Sequence, residues 1–165
     1  MKKIGLISDT HGYIDPRLFD LFASCDEVWH AGDIGSAEVL EKLQSFKPLR
    51  AVYGNVDGAE IRYQLNEVER FELDGVDVVM MHIGGRPGKY SPMALAVLAQ
   101  KTPKVLVCGH SHILRVIFDK KYGCLHINPG ACGRFGFHQV RTALRFVIDN
   151  GEIRDMEIIE LGNRK

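Results

Sequence analysis

Between Lys3 and Tyr53 the chain alternates short apolar runs with stretches of helical periodicity, and this alternation restricts its architecture more than any other feature. Lys3 to Ser8 reads as a buried strand. Pro16 to Ala23 fits a short helix, with Asp15 as N-cap and Pro16 at the first helical position. Asp26 to Ala31 is a second strand. From Ser36 to Phe46, the side chains of Val39, Leu40, Leu43 and Phe46 share one helical face, with Ser36 as N-cap. Leu49 to Tyr53 is a third strand. A βαβαβ order implies parallel strands joined by right-handed crossovers.

The second half adds hairpins. Glu69 to Leu73 and Val76 to Met81 flank Asp74-Gly75, a two-residue turn signal, and Val140 to Ile148 and Glu152 to Ile159 flank Asn150-Gly151. Pro92 to Lys101 reads as a helix, Lys104 to Cys108 as a buried strand, and Arg115 to Asp119 and Leu125 to Ile127 as short strands. Parallel and antiparallel strands together predict a mixed two-sheet α/β core with helices outside. No linker is visible, so the expectation is a single domain over residues 1–165.

Composition removes several classes of function. Lysine plus arginine and aspartate plus glutamate each number 21, so the formal net charge is zero. A protein that tracks long nucleic acids normally carries a basic excess, so long polymers are disfavoured as partners. No apolar run approaches the ~18 residues of a membrane span. The start, Met1-Lys2-Lys3, leads directly into the first strand and lacks the form of a signal peptide. Cys25, Cys108, Cys124 and Cys132 form no C-x-x-C pair and read as reduced, buried thiols, which suits a cytoplasmic protein.

The chemistry lies just beyond the strands. The first ends in Asp9-Thr10-His11, the second in Gly32-Asp33, the third in Gly54-Asn55-Val56-Asp57. Val76 to Met81 runs into His82, and Lys104 to Cys108 into Gly109-His110-Ser111-His112. Five strand ends thus each deliver an Asp, Asn or His, and in open α/β sheets ligands bind beyond the carboxyl ends of strands. Carboxylate oxygen with neutral imidazole suits zinc, manganese, iron, cobalt or nickel, and is too nitrogen-rich for magnesium or calcium.

The ordered series D-x-H, G-D, G-N-x-D, a lone histidine after a strand, then G-H-x-H resembles the calcineurin-like metallophosphoesterase superfamily. The short length and Asn128-Pro129-Gly130 look like its small YfcE-type prokaryotic phosphodiesterase branch. The resemblance runs from Ile4 to about Ile159 and implies a four-layer α/β/β/α sandwich of two mixed sheets. It implies Asp9, His11, Asp33 and His112 as ligands of one divalent transition metal and Asp33, Asn55, His82 and His110 as ligands of a second. Mn²⁺ is foremost, with Zn²⁺, Fe²⁺, Ni²⁺ or Co²⁺ as alternatives. Asp33 would bridge ions roughly 3.5–4 Å apart. The implied reaction is in-line attack on phosphorus by a metal-bridging hydroxide. The substrate would be a small phosphodiester or phosphate ester, and the resemblance also admits a homo-oligomer.

One position departs from the wider superfamily. Val56 stands where many members carry a histidine resembling a leaving-group proton donor. General acid assistance is worth ~10²–10⁴-fold, so activated diesters are expected to outpace alkyl monoesters. His30 is expected in the core or behind the ligands, and His126 and His138 in structural or surface roles. Arg86, Lys89 and Arg134 lie in glycine-bearing loops, either solvated or bordering the cleft; Asp57 either orients His82 or caps the following segment. The competing reading is a catalytically weak interaction scaffold resembling a retromer subunit, against which the intact ligand set argues.

Overall fold

A computed structural model describes residues 1–165. Its first sheet contains β1 (Lys2–Ile7), β2 (Glu27–His30), β3 (Leu49–Ala51), β11 (Val140–Asp149) and β12 (Glu152–Asn163), in the order β12-β11-β1-β2-β3. The second contains β4 (Val68–Leu73), β5 (Val76–Met81), β8 (Val105–Val107), β9 (Leu114–Asp119) and β10 (Cys124–Pro129), in the order β4-β5-β8-β10-β9. A ribbon of β6 (Gly85–Arg86) and β7 (Lys89–Tyr90) stands apart. The helices are α1 (Arg17–Leu21), α2 (Ala37–Phe46), α3 (Ala59–Arg62) and α4 (Pro92–Gln100).

In the first sheet β1, β2 and β3 are parallel, as the βαβαβ pattern requires, and β11 pairs antiparallel with β1. In the second, β5, β8 and β10 are parallel, with β4 and β9 antiparallel on the two edges. Both hairpin turns form as expected. Asp74-Gly75 and Asn150-Gly151 hold positive φ at each central residue (45° and 82°, 49° and 83°), the backbone that matches strand twist in a two-residue turn.

Three apolar clusters define four layers. Ile4, Leu6, Trp29 and Phe146 of the first sheet interleave with Val78, Met80, Val105 and Val107 of the second. Trp29 meets Phe71 and Phe146 edge-to-face, with ring centroids 5.1 and 5.6 Å away. On the outer side of the first sheet, Ile7, Val28 and Ala51 pack against Leu18 of α1 and Leu40 and Leu43 of α2. On the outer side of the second, Val79, Met81 and Leu106 pack against Ala94 and Leu98 of α4. The molecule is therefore the expected α/β/β/α sandwich.

Helix starts follow local chemistry. Ser36 accepts the Val39 N–H at 3.2 Å and Ser91 accepts that of Ala94 at 3.1 Å, each satisfying a donor that the first helical turn leaves unpaired. At α1 the expected cap is displaced by one residue: Pro16 stands at the N-cap and Arg17 begins the helix, with Asp15 accepting the Arg17 N–H at 2.9 Å from just outside it, and the helix is shorter than expected, ending at Leu21. All four cysteines are free and buried, and burial pushes the Cys108 and Cys132 thiols up to about 12. No helix is long and apolar enough to cross a membrane.

Candidate metal centre

The carboxyl ends of β1, β2, β3, β5 and β8 emerge on one edge of the sandwich, and their first loops are tied together. Asp9 N–H donates to Gly32 O (2.9 Å), His11 N–H to Asp33 O (3.0 Å) and Gly109 N–H to His82 O (3.0 Å). The His110 N–H crosses between the sheets to the Asp9 carboxylate at 3.1 Å. These bonds hold together residues that lie as far as 101 positions apart in sequence.

Two clusters result. Asp9, His11 and His112 have donor atoms within 4.8 Å of one another, and so do Asp33, His82 and His110. Asn55 lines the same cleft with His11, Asp33, His110 and His112. All seven positions singled out from the sequence therefore converge. Five of them, Asp9, His11, Asp33, His110 and His112, hold a left-handed backbone with φ between 47° and 71°. L-residues are uncommon there, and such strain gathers at functional sites.

Each aspartate has one oxygen secured and one bare. Asp9 Oδ2 accepts from Ser8 Oγ (2.6 Å) and His110 N, while Oδ1 faces His112 Nε2 (3.2 Å), His11 Nε2 (3.6 Å) and His82 Nε2 (3.7 Å). Asp33 Oδ1 accepts the Val56 N–H (3.0 Å), leaving Oδ2 between His82 Nε2 (3.0 Å) and His11 Nε2 (3.6 Å). Burial alone would raise both carboxyls. The facing histidines outweigh it and hold both below the usual carboxylate range, Asp9 helped by Ser8 and Asp33 by the Val56 N–H.

The histidines turn lone pairs inward. His82 Nδ1 lies 2.7 Å from Ala31 O, a pure acceptor, so Nδ1 carries the proton and Nε2 is free to ligate. Burial disfavours charge on this ring, and the Asp33 and Asp9 carboxylates overcome that, raising it above the ordinary histidine range. His138 plays a part that the sequence did not reveal. Its Nε2 donates to Gly133 O (2.8 Å), so its Nδ1 accepts from His112 Nδ1 (3.2 Å) and leaves His112 Nε2 bare toward Asp9. Burial is the leading reason His138 sits below the usual range, which favours this neutral form.

The donor set fits divalent metal. Asp9 Oδ1, His11 Nε2 and His82 Nε2 are buried polar atoms without a hydrogen-bond partner, and all three point into the same small space. Buried polar atoms are ordinarily paired. A cation satisfies carboxylate oxygen and imidazole nitrogen together.

Comparison with known proteins agrees with this geometry. A family model described as the calcineurin-like phosphoesterase superfamily domain matches residues 1–151. The chain belongs to the calcineurin-like phosphoesterase superfamily. A probable metallophosphoesterase of Methanothermobacter thermautotrophicus is 30% identical over 138 residues, covering 78% of this chain and 76% of the relative. Among solved structures, an archaeal phosphodiesterase superposes with a TM-score of 0.72 at 23% identity, covering 96% of this chain and 99% of that one. Zinc-complexed wild-type Vps29 from Entamoeba histolytica superposes at 0.71 with 19% identity and 99% coverage of both chains. Likeness at that level of identity concerns the fold alone.

Other residues of this phosphoesterase-family chain are placed as follows. His30 is fully buried behind the two clusters, with Nε2 3.0 Å from Thr10 Oγ1 and Nδ1 accepting the Gly32 N–H at 3.1 Å; burial pushes it down to about 4. Asp57 takes neither expected role. Its carboxylate accepts N–H groups of Ile34, Gly35 and Gly54, clamping the loop after β2 to that after β3. Asn128 bonds Gly109 O, Ser111 Oγ and Gly130 N, shaping the His110–His112 loop as a structural turn. Arg134 is not part of the cleft wall and stacks over Tyr13, 4.1 Å from the ring centroid. Val56 lines the cleft beside Phe135 and Phe137.

Proposed function

We propose that this protein is a metal-dependent phosphodiesterase of small substrates, acting in the cytoplasm through two metal ions held by one domain spanning residues 1–165. The convergence of bare Asp9, His11 and His82 atoms on one point carries this reading. Asp9, His11, Asp33 and His112 would hold one ion and Asp33, Asn55, His82 and His110 the other. Asp33 would belong to both sets, its Oδ1 steadied by the Val56 N–H and its Oδ2 facing His82 and His11. The mixed oxygen and imidazole donor set suits manganese, zinc, iron, nickel or cobalt, and manganese is the ion proposed first. Such ions supply Lewis acidity to phosphoryl oxygens and a nucleophilic water at neutral pH.

The chain's own residues do the rest. Ser8 and the His110 N–H fix the Asp9 carboxylate; Ala31 O and His138 fix the tautomers of His82 and His112. Neutral Asn55 keeps one side of the centre less anionic, which favours an anionic phosphoester. Val56 offers no proton to a departing oxygen, which favours esters whose leaving group departs unaided.

A second reading, an interaction scaffold, draws on a row of exposed apolar side chains, Val116, Ile117 and Phe118, along the edge strand β9. Metal binding does not separate the two readings; turnover does. Chelator-stripped protein is expected to hydrolyse bis-p-nitrophenyl phosphate only after Mn²⁺ is restored, and Asp33→Asn is expected to abolish that gain. Metal binding without turnover would favour the scaffold.

A further inference from the structure

A second, larger cavity lies beside the metal centre. It encloses about 640 Å³, against about 260 Å³ for the cleft over the ligands. The two share His110 and Ser111 as a common wall. Around the cavity stand Arg86 and Lys89 of the β6–β7 ribbon and Arg115 of β9, with no acidic residue in its lining.

Arg17, Arg50, Arg70, Arg141, Arg145 and Arg154 each pair with a carboxylate. Arg86, Lys89 and Arg115 are among the cations that form no ion pair, and these three share one cavity. Asp119, carried by the same strand as Arg115, has its oxygens taken by Tyr90 OH (2.5 Å) and the Lys121 N–H (3.0 Å). In a chain of zero net charge, three unneutralised cations around one concavity make a local field for an anion. Arginine forks suit phosphate oxygens.

We infer that this cavity is an anion subsite, so that the substrate is a phosphodiester carrying a second phosphate on one ester arm: the reacting phosphorus sits at the metal centre and the other phosphate among Arg86, Lys89 and Arg115. The substrate assignment rests on the phosphoesterase reading above; the anion site does not.

Two diesters with the same scissile group separate the possibilities. Thymidine 5′-(p-nitrophenyl phosphate) lacks the second phosphate, and its 3′-phosphorylated form carries it. With Mn²⁺-loaded protein, the 3′-phosphorylated compound is expected to show kcat/KM higher by about tenfold or more, from charge-assisted hydrogen bonds to one phosphate. In R86Q/K89Q/R115Q that ratio is expected to fall to about one. The ribbon variant R86Q/K89Q serves if the triple variant does not fold. A ratio of one in the wild type, or a ratio that persists in the variants, overturns the subsite.

Calorimetry of inorganic pyrophosphate with metal-free protein tests the anion site separately. Binding that the variants lose supports it, and absence of binding, or equal binding by the variants, overturns it. If neither diester is hydrolysed, the phosphoesterase reading and its substrate assignment fail, and pyrophosphate binding decides the anion site alone.

Discussion

Asp9, His11, Asp33, His110 and His112 sit in a left-handed backbone that costs a non-glycine residue about 1–3 kcal/mol. The cost is borne because hydrogen bonds from neighbouring strand ends leave the chain no other path. All seven candidate positions could be singled out in the sequence because carboxylate, amide and imidazole after five strands form a rare combination. The sequence could not show the strain, nor that His138 orients His112, because a histidine 26 positions away carries no local signal. His138→Ala is expected to weaken metal binding by about 10–100-fold, as measured by competition with a chromogenic chelator. An unchanged affinity would make His138 a bystander. At Val56, the absent proton donor predicts that rates across a series of aryl diesters fall steeply as leaving-group pKa rises. A flat series would show that another group protonates the leaving oxygen.

At the scale of elements, strands and helices were legible to within a few residues. Apolar runs, helical faces and Asp-Gly and Asn-Gly turns mark them directly. The single-turn α3 and the two-residue strands β6 and β7 were not, since elements so short display no periodicity. Gly54 and Gly109 at the strand ends serve as clearance: a Cβ on Gly54 would lie 2.1 Å from Asp33 Oδ1, and one on Gly109 would lie 2.2 Å from Ser8 Oγ and 2.9 Å from Asp9 Oδ2. Close approach of this kind is a property of packing, invisible in one sequence. Gly109→Ala is therefore expected to displace Asp9 and lower metal affinity at least ~10-fold while leaving the circular dichroism spectrum native. Wild-type affinity in that variant would mean that β8 and β1 can separate freely.

For the whole molecule, Asp15 and Arg141 join the start of α1 to β11 across 126 residues through a buried contact of 2.9 Å. Arg17 completes the grouping at 2.6 Å and is the main reason the Asp15 carboxyl lies well below its ordinary range. A carboxyl lowered on folding contributes stability above its unfolded value and loses it as pH falls. Unfolding midpoints in urea should thus decline from about the ordinary carboxylate value of 3.8 downward, partly through Asp15. Asp15→Asn is expected to cost about 3 kcal/mol at neutral pH and to flatten that decline, because Arg141 is left buried without its partner charge. A loss under ~1 kcal/mol would show that the pair ties little together.

The four-layer sandwich exists, on this account, to bring five strand ends of two sheets to one two-metal centre. The most direct test is hydrolysis of bis-p-nitrophenyl phosphate by chelator-stripped protein titrated with Mn²⁺. The expected result is no turnover without metal and turnover that saturates as two equivalents bind. Metal-independent hydrolysis, or failure to bind metal, would contradict it.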